Sequence, residues 1–162
     1  MAIKILREQI ENLVIREFNP LRRYQTLVIQ ANCFDTLAEI SAALSSAFLR
    51  HKAEPIIYGW DKFFDRVGAI SCTAAISFIN TAASTAPVII TGPLHFIDYW
   101  SFSVQESFWG YFSEYSLGSG IVFVDIQRPE CVEPSFVSRG IICGTEIRFL
   151  RSCLVAREEV LP

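Results

Sequence analysis

Charged side chains are scarce in this 162-residue sequence: they make up 19% of it, against 51% hydrophobic residues. The signs are interspersed, the formal net charge is -3 and no basic block occurs, so non-specific nucleic-acid binding has no electrostatic source. The five cysteines (Cys33, Cys72, Cys131, Cys143, Cys153) are odd in number and none stand in CxxC spacing, which speaks against a disulfide framework and against a zinc ribbon. They read as small core residues in a reducing compartment. Lys4 and Arg7 interrupt the first residues, where a signal peptide would need an apolar region. One stretch, Val67 to Ile97, has no Asp, Glu, Lys or Arg. It holds Asn80, Pro87, Pro93 and several hydroxyl residues, so a buried helix followed by a buried strand is expected rather than a membrane span. A single cytoplasmic domain follows, long enough to bury roughly two-thirds of the surface of its unfolded chain.

Ile3, Leu6, Ile10, Leu13 and Val14 recur at helical spacing until Asn19-Pro20, giving an amphipathic leader helix within residues 1–19. Apolar runs then predict strands at Thr26 to Gln30, Glu54 to Gly59, Pro87 to Thr91 and Ile121 to Asp125, with a possible fifth at Glu146 to Leu150. Between them, helices are expected from Thr36 to about Arg50, Phe64 to Ala83 and Ser103 to Ser116. Thr36 and Glu39 are placed as a capping box, and Val67, Ile70, Ala74, Ile76 and Phe78 line the second helix. The strand runs are continuous rather than alternating, as in strands covered on both faces. The expected fold is a three-layer α/β sandwich with a mainly parallel sheet of about five strands, as one domain over residues 1–162.

This alternation behind a leader helix resembles the P-loop NTPase superfamily, particularly its AAA-like and RecA-like branches, over roughly Arg22 to Leu150. The resemblance is one of layout and implies a P-loop-like topology. The family's phosphate loop, GxxxxGK[ST], would follow the first strand, but Gln30 to Thr36 contains neither glycine nor lysine. Where the family places an acidic residue on magnesium, at the end of the third strand, the sequence has Thr91-Gly92-Pro93. ATP hydrolysis and bound cofactors are therefore not expected.

In a parallel sheet, ligands gather at the carboxyl ends of the strands. The candidates there are Asn32 and Asp35, Asp61 and Lys62, His95 and Asp98, and Asp125 and Arg128. The alternative reading is a magnesium-dependent phosphohydrolase or phosphotransferase using Asp35, Asp61 and Asp125, with Asp98. A base and nucleophile pair of His95 and Cys33 lacks an orienting third group. Asp98 to Tyr115 is rich in aromatics. In helical projection Val104, Phe108, Tyr111, Phe112 and Tyr115 share the face expected to pack on the sheet, while Phe102 and Trp109 fall off it. Trp100, Phe102 and Trp109 are the expected protein-contact residues. Arg139, Arg148, Arg151 and Arg157 are read as a solvated face, with a role across a subunit boundary as the alternative. The sequence is thus read as a non-catalytic interaction subunit of a larger bacterial assembly, comparable in size and layout to small accessory proteins of anti-phage ATPase systems. A protein partner or homo-oligomer is expected, with no direct nucleic-acid or membrane contact.

Overall fold

A computed structural model describes residues 2–19, 25–31, 35–63, 70–115, 118–126, 138–142 and 145–151; side chains are described within 7–19, 25–30, 37–63, 70–115 and 118–126. The elements are α1 (Ala2–Glu17), β1 (Thr26–Ala31), α2 (Asp35–His51), β2 (Ile56–Gly59), a 3-10 turn (Trp60–Phe63), α3 (Cys72–Ala83), β3 (Val88–Thr91), α4 (His95–Asp98), α5 (Phe102–Ser113), β4 (Ile121–Ile126), β5 (Ser138–Ile142) and β6 (Thr145–Arg151). They build an α/β fold on a mainly parallel sheet of order β2-β3-β4-β1-β6-β5. The strands β2, β3, β4 and β1 are mutually parallel, and β6 runs antiparallel to β1.

Connection handedness explains the layering. The chain leaves β1 for the far edge at β2, then returns inward through β3 to β4. A right-handed crossover in opposite directions puts the connecting helices on opposite faces. Accordingly α2, with α1 beside it, covers Leu27, Ile29, Ile89, Val122 and Val124. The other face, Val28, Val88, Ile90, Ile121 and Phe123, packs under α3, α4 and α5. Consecutive strand residues thus alternate between two apolar cores, which is why the strand sequences read as unbroken hydrophobic runs.

The leader helix is part of the domain. Ile10, Leu13, Val14 and Phe18 are buried on one stripe, and Glu11 ties α1 to α2 through Arg50 Nη1 at 3.1 Å and His51 Nε2 at 2.7 Å. Phe18 also explains a glycine. Gly120 has φ +110°, and a Cβ there would lie 2.9 Å from Phe18 Cδ1.

Several expectations are corrected. Among the described residues the sheet has six strands rather than about five, because β5 and β6 form an antiparallel pair separated by only two residues, a spacing that precludes a parallel crossover. The predicted fifth strand exists as β6. α2 begins at Asp35, so Thr36 stands inside the helix and not at its cap. α3 begins at Cys72: Ser71 is extended at φ -72°, ψ 156°, and its Oγ accepts the Ala74 N–H, stopping helix propagation toward Ile70. Residues 64–69, including Val67, lie outside the described set. The buried face of α3 is Ala75, Ile79, Ala82 and Ala83, while Ala74 and Phe78 are exposed. Small residues on every side of this helix leave its apolar stripe undefined in the sequence. No helix among the described residues is long and apolar enough to cross a membrane.

Candidate functional site

The carboxyl ends of β1, β4 and β3 lie side by side where the connections diverge: the chain leaves β1 on the α2 face and β3 on the α4–α5 face. Such a reversal is the usual ligand crevice of an open α/β sheet. Gln30 and Asp125 stand in register there as Cα partners, and both side chains are buried, at 6% and 1% exposure. By strand alternation they share the face of Val28 and Phe123.

Asp125 has a clear structural task. Its Oδ1 accepts the Leu94 N–H at 2.9 Å and the Ile126 N–H at 2.8 Å. A buried carboxylate must be compensated by donors, and the Leu94 contact ties the bend that takes the chain from β3 into α4 to the end of β4. On the opposite face the Ser41 hydroxyl donates to Thr91 Oγ1 at 2.8 Å, tying α2 to the end of β3. Gln30 is less well served, since its Oε1 has no hydrogen-bond partner among the described residues.

The aspartates of the alternative reading have different surroundings. Asp61 is exposed in the 3-10 turn after β2, Asp98 is exposed and bonded at 3.3 Å to His95 Nδ1, and Asp125 is buried. No group of three His, Cys, Asp or Glu among the described residues could hold a metal ion. Asp35 heads α2, but its side chain lies outside the described set, as do Asn32, Cys33 and Arg128. The Cys33–His95 pair is therefore outside it too. By backbone register Arg148 stands opposite Gln30 and Arg139 opposite Arg148, which continues the Asp125–Gln30 row across β6 and β5. Arg151 ends β6, and Arg157 lies outside the described residues. Cys72 is half-buried, and burial pushes its thiol pKa up, which favours the unreactive protonated form.

The aromatic segment divides differently from the projection. The buried positions of α5 are Gln105, Phe108, Trp109 and Phe112, an i, i+3, i+4, i+7 stripe. Trp109 is only 5% exposed, with its ring centroid 5.1 Å from Phe108 and 5.2 Å from Phe123. Its assignment as a surface contact is corrected: Trp109 belongs to the core. Gln105 obscures the phase of the helix in the sequence, because a polar residue heads the stripe; its Nε2 donates to Trp100 O at 3.0 Å, which satisfies it under cover. Tyr111, expected inside, is exposed instead. Trp100 is half-buried, its Nε1 donating to Ile70 O at 2.9 Å and its ring packing against Phe96 and Phe108.

Phe102 does face solvent, at 63% exposure, as do two rings outside the expected contact set: Tyr99 at 70% and Trp60 at 37%. Trp60 is set by its neighbours. Its Cβ packs so close to Gly92 that a Cβ on Gly92 would approach it to 2.7 Å, and its ring meets His95 edge-on at 5.5 Å and 89°. Tyr99 closes α4, and Phe102 opens α5 directly after the Ser101 cap, whose Oγ accepts the Val104 N–H at 3.4 Å. The signal that could have found them is the pair of turn segments after β2 and β3, where a ring has no helix face on which to hide. None of the protein-family models, curated proteins or solved structures compared with this chain matches it.

Proposed function

We propose that this chain works by protein contact, as a non-catalytic cytoplasmic subunit of a larger assembly, on a P-loop-like layout without a phosphate loop. The observation that carries the reading is the exposure of Tyr99, Phe102 and Trp60 on the segments that follow β2 and β3. Burying a large apolar side chain is worth roughly 1.5–3 kcal/mol, so rings held in water by an ordered backbone are a ready source of binding energy. Aromatic anchors of this kind dominate protein interfaces. Two further observations support the proposal. β1 lies inside the sheet with its carboxyl end at the crevice, and the sequence that follows, Gln30 to Thr36, offers no glycine and no lysine for a phosphate. Asp125, the most buried acid at the crevice, is engaged by backbone N–H groups.

The test is recovery of tagged protein from its own cells, comparing wild type with a Tyr99→Ala/Phe102→Ala double variant and with Leu49→Ala, which alters an exposed apolar residue on α2. Partners retained by Leu49→Ala and lost by the double variant, at matched melting temperatures, are expected. An unchanged set of partners would contradict the proposal. So would saturable ATP-magnesium binding that disappears in Asp125→Asn, which would favour the phosphohydrolase.

A further inference from the structure

From the charges around these rings we infer that the surface of Trp60, Tyr99 and Phe102 docks an arginine-bearing segment of a partner protein. The inference rests on the contact role proposed above and names the chemistry of what is bound. Each ring has an exposed acid close by in the chain. Asp61 follows Trp60, Asp98 precedes Tyr99, and Glu106 lies one helical turn after Phe102 on the same side of α5. Among the described residues of these segments the exposed basic groups are Lys62 and His95, and His95 is engaged with Asp98. The surface therefore combines π faces with an excess of negative charge.

A guanidinium satisfies both features at once. It is planar, stacks on aromatic rings, carries a charge at every physiological pH and can bond a carboxylate through two parallel N–H groups. A lysine ammonium offers only a point charge and a larger hydration shell. Of the other exposed apolar residues, Ile15, Leu49 and Ile57 are aliphatic and Phe78 lies on a helix without acids; Tyr111, with Glu114 one turn on, is the nearest rival, but its hydroxyl is engaged by Asn80 and its ring packs edge-on against Phe112. The backbone that carries the rings is ordered before binding. Trp60 is wedged against Gly92 and His95, while Tyr99 and Phe102 occupy the terminal positions of α4 and α5. The backbone therefore adds little ordering cost on association.

The experiment is a fluorescence-anisotropy titration of the full chain against a labelled peptide of alternating glycine and arginine, with a glycine-lysine twin, at near-physiological salt. Saturable binding of the arginine peptide is expected, with the lysine twin about tenfold weaker. Tyr99→Ala and Asp98→Asn should each weaken binding about fivefold, the scale of one cation–π or charge contact. Glu54→Gln, which alters an exposed acid before β2, should leave it unchanged. Equal binding of the two peptides, or full binding by Tyr99→Ala, would reduce the effect to general attraction toward an acidic protein and overturn the inference. So would the absence of arginine-peptide binding. If the peptide fails while Tyr99→Ala/Phe102→Ala still strips partners from the recovered protein, the contact role stands and only the arginine assignment falls.

Discussion

Replacing Trp109 with alanine and Phe102 with alanine separates core from surface on a single helix. Trp109 is 5% exposed and packs on Phe108 and Phe123, so its truncation removes a large side chain from the centre of one core and leaves a cavity. Such substitutions cost about 3–5 kcal/mol. For a chain of this length that corresponds to a fall in Tm of roughly 10 °C. Phe102 is 63% exposed, and its truncation should stay within about 0.5 kcal/mol of wild type. Trp109→Phe isolates the contribution of the indole N–H. The Trp109 Nε1 is buried without a hydrogen-bond partner among the described residues, and a buried orphan donor costs about 1–3 kcal/mol. Phenylalanine removes that penalty while keeping most of the ring, so Trp109→Phe should lose much less stability than Trp109→Ala. The assay is thermal and urea unfolding followed by far-ultraviolet circular dichroism, which does not depend on the deleted indole. A Trp109→Ala protein melting within about 2 °C of wild type, or a Phe102→Ala protein falling as far as Trp109→Ala, would refute the assignment of the two faces.

Asp125→Ala should destabilise by about 3 kcal/mol in urea unfolding, because the Leu94 and Ile126 N–H groups both lose their acceptor. Asp125→Asn, which keeps a carbonyl oxygen, should cost less than half as much. Gly120→Ala should cost about 2 kcal/mol or more, from the positive φ and from the close approach of Phe18, and calorimetric Tm would show it. The Glu11 pKa is held below its ordinary value of 4.5 chiefly by the hydrogen bond from His51, with the charge of Arg50 adding to it. A carboxyl whose folded pKa is depressed stabilises above its unfolded value and loses that contribution as pH falls through the folded one. The Tm difference between wild type and Glu11→Gln should therefore be complete at neutral pH, begin to shrink as pH falls below 4.5 and vanish below the depressed folded pKa.

The parallel core was legible because burial on two faces leaves no room for alternation: Thr26–Ala31, Val88–Thr91 and Ile121–Ile126 each match an apolar run to within a residue. The outlying pair was harder. Ser138–Ile142 contains only two large apolar residues, so it carries neither a continuous nor an alternating pattern. α4 spans four residues, too few for a helical period to register. The phase of α5 was lost to Gln105, a polar side chain whose burial depends on a carbonyl, Trp100 O, supplied by the preceding turn. At the crevice, Asp125 could be named from its place at the end of a strand. That it serves backbone N–H groups depends on Leu94, thirty-one residues away in the chain, arriving beside it. The exposure of Tyr99 and Trp60 is not legible in the sequence for the same reason. Exposure of a ring in a turn is decided by what the rest of the fold leaves uncovered.

The claim on which the account rests is that the chain meets a partner through the rings that follow β2 and β3. The most direct measurement is photocrosslinking in living cells with a photoreactive phenylalanine placed in turn at positions 99, 102 and 49. The account predicts a discrete adduct with a second protein from positions 99 and 102 and none from position 49. Absence of an adduct at both 99 and 102, or an equal yield from 49, would contradict it.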